Sequence, residues 1–370
     1  MDFSYSELHN DIKSLASDML GDFSDVERLK KLEANGPYLD HELWQKMIEA
    51  GITAAAFPEA LGGMGMDYNA TTLVAEVIGR TMVSTPYIPC IISSAMPLLA
   101  LQNRSEVARL LAQIASGEKL ITAALIEPGN EDPLRASSLV DQRSKISGYK
   151  HCVPFANDAD YLFIAATKNH KPCVAVLKRK QPGVKLTAQL STAHEPQYRV
   201  DLNNADIEIL ISDEDAHQLI NTAVAMTTVA YCAMAVGAAD KMTRISGEYT
   251  SQRKQFGVAI ATFQAVAHRL ADCYIDTQCL NIITLKAGSD INNGIYDSEA
   301  IAMAKVWCGN VMHRVSQAAQ HVHGGAGIDR DYYLFRYCLW AKQLELAMGN
   351  SKQHISKLAD RLEARYLSPR

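Results

Sequence analysis

The chain has 370 residues, 48% of them hydrophobic, 21% charged and 7% aromatic, and 36 Lys and Arg against 41 Asp and Glu leave it at −5. This is the composition of a globular protein large enough for two or three domains with a sizeable core, and the acidic balance argues against the basic face of a nucleic-acid protein. No apolar stretch approaches the roughly 20 residues that span a bilayer, and the opening MDFSYSELHNDIKS has neither the basic nor the apolar region of a signal peptide. Cys90, Cys152, Cys173, Cys232, Cys273, Cys279, Cys308 and Cys338 form no CxxC pair and sit mostly in apolar surroundings, the usage of reduced thiols in a cytoplasmic protein.

In chain order, Leu8, Ile12, Leu15 and Met19 recur at helical spacing and predict a first helix. Leu43, Trp44, Met47 and Ile48 predict a second, closed by Gly51. FPEALGGMGM, residues 57–66, reads as a loop because Pro58, Gly62, Gly63 and Gly65 break the pattern. Val107, Leu110, Leu111 and Ile114 predict a further helix that ends at Gly117. From about residue 120 the segments ITAALI, YLFIAA, CVAVL, VKLTAQL and DIEIL are short, β-branched and divided by turn residues. They predict a β domain of about 90 residues, a small barrel or sandwich. Helices return at Ser212, where Ser212 and Asp215 resemble a capping box. The Ala-, Met- and Val-rich run from about Asp213 to Gly247 belongs inside a bundle. More helix is expected over about 262–290, 297–320 and 351–364, the last with Ile355, Leu358 and Leu362 on one face. The expected organisation is mostly α with a central β domain: a helical domain at 1–118, a β domain at 119–211 and a helical bundle at 212–370.

Three segments carry side chains suited to chemistry. In YTSQRKQFG, residues 249–257, Arg253 closes a long helix beside Gln255, Phe256 and a glycine turn. Its planar guanidinium can grip a diphosphate; a solvated arginine favoured by the helix dipole is the plainer alternative. Gln264 and His268 share a face of the next helix. In QHVHGGAGIDRDYY, residues 320–333, Gly324, Gly325 and Gly327 let backbone pass close to a ligand or to another helix. His321 and His323 form an HxH pair with no third ligand at a metal-site spacing, so no metal is expected. In LELAMGNSKQ, residues 344–353, Gly349 and Asn350 interrupt a helical pattern, and the plainer role for Glu345 is that of a solvated helix residue. No hydrolase elbow, P-loop or zinc signature is present.

Together these segments resemble the acyl-CoA dehydrogenase family. PEALGGMGM is similar to its N-terminal P-E-x-x-G-G-x-G loop, YTSQRKQFGVAIATFQAVAHRLAD to its Y-x-x-x-R-x-x-F-G…Q…H-x-L-A-D stretch, and HGGAGIDRDY to its G-G-x-G-x-x-x-x-Y element. The resemblance spans essentially the whole chain and implies that family's fold: an N-terminal helical domain, a middle β-barrel and a C-terminal helix bundle. It also implies FAD in a cleft between subunits of a dimer or tetramer, an acyl-CoA substrate, and electron-transfer flavoprotein or a similar acceptor. In such enzymes a base takes the α-proton of the thioester while the β-hydrogen passes to flavin as hydride. By resemblance, Arg253, Gln255 and Phe256 match positions that hold the diphosphate and adenosine side of a neighbouring subunit's FAD. Gln264 matches another such position, and Gly324 and Gly325 match the glycines over which the adenine end lies. His321 stands where a Gln is usual, with Gln320 beside it as a substitute.

The rest of the family's equipment is missing. Where the Glu of a Y-E-G-T stretch is the usual base, this chain reads A-M-G-N, so Met348 stands in its place and no proton acceptor is left. The other base position known in the family, 25 or 26 residues before Arg253, holds Thr228 and Thr227. T-E-P-x-x-G-S-D becomes IEPGNEDP, which keeps Glu127 and Pro128 only, and Cys152, Val153 and Pro154 replace the W-I-T element that packs on the flavin ring. The pattern implies a degenerate subunit that still lends FAD-binding residues to a homologous catalytic subunit. Some α2β2 dehydrogenases of steroid side chains are built so, and GGxGxDRDY, WAKQLEL and VPFANDAD resemble that subgroup. A second possibility is an autonomous homo-oligomeric enzyme whose base has moved to Glu345 or Glu127. A third is a non-enzymatic acyl-CoA-binding or scaffold protein on the same fold.

Overall fold

The computed structural model describes residues 5–35, 39–130 and 132–366. α1 (Glu7–Asp22), α2 (Val26–Asn35), α3 (His41–Glu49) and α4 (Tyr68–Thr81) lead to a π-helix over Ile88–Ala95, then α5 (Met96–Leu98) and α6 (Ser105–Ala115). Strands follow: β1 (Ile121–Ala124), β2 (Leu139–Val140), β3 (Lys145–Pro154), β4 (Tyr161–Lys168), β5 (Lys171–Lys178), β6 (Val184–Gln189), β7 (Gln197–Asp206) and β8 (Ile209–Ser212). The chain continues with α7 (Asp213–Gln252), a hairpin of β9 (Lys254–Gln255) and β10 (Val258–Ala259), then α8 (Gln264–Asn292), α9 (Glu299–His323), α10 (Leu334–Leu346) and α11 (Ser351–Tyr366). It is mostly α with a central β domain, as expected. Two compact units result, one of residues 27–71 and 84–227, the other of residues 1–26, 72–83 and 228–370.

The first unit is organised by one eight-stranded sheet in the order β6-β7-β3-β2-β4-β5-β8, with β1 parallel to β4. The expected barrel or sandwich takes the form of this single sheet around one core. β4 and β5 pair from Tyr161↔Lys178 to Lys168↔Lys171, so Leu162, Ile164 and Ala166 share a core with Cys173, Ala175 and Leu177 at the two-residue period of strands. Val200 and Leu202 of β7 and Ile146 and Val153 of β3 complete it. β3 is irregular against β7, with register shifts between Ile146 and Gly148 and between Lys150 and Val153, and Cys152 in the second shift has φ 50°. Asp40 caps α3 by accepting from the Leu43 amide at 3.1 Å, and Arg28 holds that carboxylate with two bonds of 2.9 Å. The stripe on α3 buries Leu43 and Met47, and Gly51 follows in the left-handed region, as its position suggested. Asp215, expected in a capping box, instead pairs with Arg104 at 2.5 Å.

The second unit is helical. Ser6 caps α1, but the buried face is Ile12, Ala16 and Leu20, while Leu8 and Leu15 are exposed. The expected stripe was therefore drawn one position off, because the small Ala16 counts as core. α4 and α7 meet backbone to backbone: a Cβ on Gly79 would strike the Met234 carbonyl, and one on Gly237 the Glu76 carbonyl. Beside that contact, Glu76 binds Lys13 and Arg80 at 2.8 Å each, and Arg80 reaches Asp240 at 2.5 Å. α7 runs five residues beyond Gly247, which is not at positive φ and so does not end it. Contrary to expectation, α7 contains an 18-residue window of mean hydropathy 1.6, enough to cross a membrane by length and composition. Of that window, 89% is buried within the protein, as in a core helix.

Candidate functional site

The end of α7 builds an exposed hairpin. The Arg253 amide bonds the Tyr249 carbonyl at 2.8 Å, and the Arg253 carbonyl accepts from the Ile260 amide at 2.9 Å across the hairpin. Gln255 pairs with Val258, leaving Phe256 and Gly257 as a two-residue loop with φ of 54° and 84°. Two consecutive positive φ values suit the right-handed twist of such a hairpin. Phe256 is 93% exposed, its ring 6.1 Å from Phe263 and edge-on. Arg253 is exposed, and its guanidinium has no protein partner among the described residues. α8 then starts at Gln264 without a side-chain cap, and the Phe263 carbonyl accepts from the Val266 and Ala267 amides at 2.9 and 3.0 Å. Tyr274, Ile275 and Ile282 stand exposed further along α8.

The end of α9 meets this hairpin. The His323 and Tyr249 rings stack at 4.3 Å, and Tyr249 Oη donates to the His323 carbonyl at 3.3 Å. Gly324 follows at φ 59° and ψ −132°, a conformation open to glycine alone. Cβ positions on Gly324 and Gly325 would meet nothing within 4 Å, whereas one on Gly327 would lie 2.6 Å from the Gln320 carbonyl. The first two glycines therefore face open space and the third serves packing. His321 pairs with Arg269 of α8, which ties the helix that starts at Gln264 to the helix that carries Gln320.

The turn after α10 is built differently. Met348 has φ 57°, and its carbonyl lies 2.9 Å from His354 Nε2. Burial pushes the His354 imidazole down to about 4. Lys305 is fully buried and donates to the Leu344 and Glu345 carbonyls at 3.0 Å each, which satisfies the C-terminus of α10. Asn350 and Gln353 exchange side-chain bonds of 2.6 and 3.1 Å with each other's amides, a reciprocal cap for α11. Glu345 Oε2 lies 2.6 Å from Lys342 Nζ and 3.6 Å from His313.

In the first unit, Glu127 Oε1 accepts from Lys150 Nζ at 2.6 Å, Ser138 Oγ at 2.8 Å and the Ser138 amide at 3.0 Å, and Oε2 from the Ser137 amide at 2.5 Å. Burial alone would raise this carboxyl, but the Lys150 charge and these bonds outweigh it and hold the group at about 2. Such a carboxylate is an ion-pair partner and a poor proton acceptor. Thr227 Oγ1 lies 2.7 Å from Ser93 Oγ of the π-helix and 2.5 Å from the Ala223 carbonyl. Cys152 is exposed, its amide bonded to Gln189 Oε1 at 2.9 Å, and Pro154 offers no amide hydrogen.

The structure thus brings the Arg253 hairpin to the Gly324 turn, and the helix of Gln264 to that of His321. The Tyr249–His323 stack was missed in the sequence, although both residues lay inside the motifs singled out there. Lys305 and His354 gave no local signal at all.

Family models for the acyl-CoA dehydrogenase N-terminal and C-terminal domains match residues 7–118 and 217–363. The chain belongs to the acyl-CoA dehydrogenase family. Among its relatives, the acyl-CoA dehydrogenase FadE27 of Mycobacterium tuberculosis is 28% identical over 98% of this chain and 99% of its own. A chain of the ChsE4–ChsE5 complex of Mycobacterium tuberculosis superposes with a TM-score of 0.90 at 27% identity, both chains fully covered. A Tcur3481–Tcur3483 steroid ACAD variant gives 0.91 at 28%, over 98% of this chain and 99% of that one. Acyl-CoA dehydrogenases are flavoprotein oxidoreductases, and the residues at the α7 and α9 ends fit the diphosphate and adenosine half of FAD. An unpaired guanidinium suits a diphosphate, glycines facing open space admit a close ligand, and the exposed Phe256 ring offers a stacking face.

Proposed function

We propose that this chain is the non-catalytic subunit of a heteromeric FAD-dependent acyl-CoA dehydrogenase. Arg253, Gln255, Phe256, Gln264, Gln320, His321, Gly324 and Gly325 reach the FAD of a homologous catalytic subunit in an α2β2 assembly. The substrate is a bulky acyl-CoA such as a steroid side-chain thioester, and electrons leave to electron-transfer flavoprotein or a similar acceptor. FAD, when bound, takes up the hydride removed from the acyl chain; the role of this chain is to bind and orient its phosphate end.

The observation that carries this proposal is an Arg253 without a protein partner among the described residues, together with Met348, whose side chain cannot accept a proton, where resemblance puts the base. Glu127 is bound to Lys150 and Glu345 to Lys342, so neither favours a relocated base. The test is a visible spectrum of the purified chain, alone and co-expressed with its homologous subunit. The expected result is a colourless chain alone and about one FAD per pair of chains in the complex. Stoichiometric FAD that bleaches with an acyl-CoA in the lone chain would overturn the proposal.

A further inference from the structure

His323 is the last residue of α9 and only 3% exposed. Its Nδ1 lies 2.7 Å from the Ala319 carbonyl, which makes Nδ1 the protonated nitrogen and Nε2 an acceptor. Nε2 is buried without a hydrogen-bond partner and so carries the desolvation penalty of an unmade bond. Phenylalanine would stack on Tyr249 without that penalty, but nothing would fix the rotation of its ring. In His323 the bond to Ala319 fixes it. One face then stacks on Tyr249, inclined by 27°, and Tyr332 lies 5.4 Å away. Tyr249 sits one turn before Arg253 and accepts its amide, while His323 directly precedes Gly324. One stacked pair therefore connects the exposed guanidinium to the open glycine turn.

We infer that His323 is a positioning residue: through Tyr249 it holds Arg253 and the Gly324–Gly325 turn in one register for a single phosphate-bearing ligand. The inference rests on the proposed role of Arg253 toward FAD. Without the ring, Tyr249 keeps only its hydroxyl bond to the residue 323 carbonyl, the last turn of α7 is held less firmly, and part of the ordering of Arg253 falls to the moment of binding.

The test is a double-mutant cycle read by FAD affinity. The oligomer this chain forms with its co-expressed homologue, or by itself if none associates, is stripped of flavin and titrated with FAD by fluorescence quenching. Arg253→Ala is expected to weaken binding roughly 10- to 100-fold, and His323→Leu about 10-fold. In the His323→Leu background the further cost of Arg253→Ala shrinks to under about threefold, because an unpositioned arginine contributes little. Tyr249→Leu gives the same coupling from a half-buried position, should His323→Leu fail to assemble. If the losses multiply instead, the clasp is refuted while Arg253 keeps its role. If Arg253→Ala alone changes nothing, the role of Arg253 toward FAD fails, and the clasp with it.

Discussion

At the end of α7, Arg253 has no protein partner among the described residues, Phe256 is exposed, and Gly324 and Gly325 face open space. At the turn after α10, in the same unit, Glu345, the Met348 carbonyl, Asn350 and Gln353 are all engaged within the chain, and buried Lys305 and His354 hold the backbone. The two regions share a family ancestry and differ in what they leave unsatisfied. Under the proposed function, the open Arg253 beside the Phe256–Gly257 loop is kept for a ligand outside the chain. A turn tied by these internal bonds keeps its shape without a ligand.

Single substitutions separate the open region from the closed one. The largest expected effect is away from both regions and calibrates them: Lys150→Met strands the Glu127 carboxylate in the core and should destabilise the first unit by about 3–5 kcal/mol in urea unfolding. Acid comes next. His354 is held neutral, so its contribution is complete above pH 6.5 and is lost as pH falls toward about 4. Glu127 is held ionised, so its contribution is complete above pH 4.5 and is lost toward about 2. Each is worth up to roughly 3 kcal/mol. Melting temperatures followed from pH 7 to pH 3 should therefore fall in two steps, and His354→Gln should shrink the upper one, to which His323, also held below the usual imidazole range by burial, contributes as well.

Glycine substitutions separate shape from ligand. Gly327→Ala should cost about 1–3 kcal/mol of stability, because its Cβ would press on the Gln320 carbonyl. Gly325→Ala should leave stability within about 0.5 kcal/mol while lowering the FAD content of the assembly. The smallest expected effect is none. Glu345→Gln should leave turnover of the assembly within about twofold, since the carboxylate serves Lys342 and His313. A collapse of turnover there would restore Glu345 as a base.

Most of the fold was legible where burial repeats locally. Leu43 and Met47 of α3, and the apolar runs of β4 and β5, carry their own period. β3 and β7, the ten-residue strands of the sheet, were not legible, because each buries only three of its ten residues and Gly148 and Cys152 break the alternation. α1 was placed correctly but turned slightly, since an alanine in a packed face looks neutral in a sequence. At the candidate site, Arg253 and its neighbours were visible because the hairpin is local. The stack of Tyr249 on His323 was not, because it joins residues 74 apart and depends on how two helices end. Glu127 was in view, but its pairing with Lys150 of β3, 23 residues further on, leaves no local trace in the sequence.

Phe256, Tyr274, Ile275 and Ile282 are each more than half exposed. Ile275 and Ile282 lie seven residues apart on α8 and so share one face, and water tolerates bare apolar side chains of this size poorly. Under the proposed function, copies made in excess of the partner subunit would aggregate or be degraded. Overproduction of the chain alone is then expected to fill the insoluble fraction, and balanced co-expression to empty it.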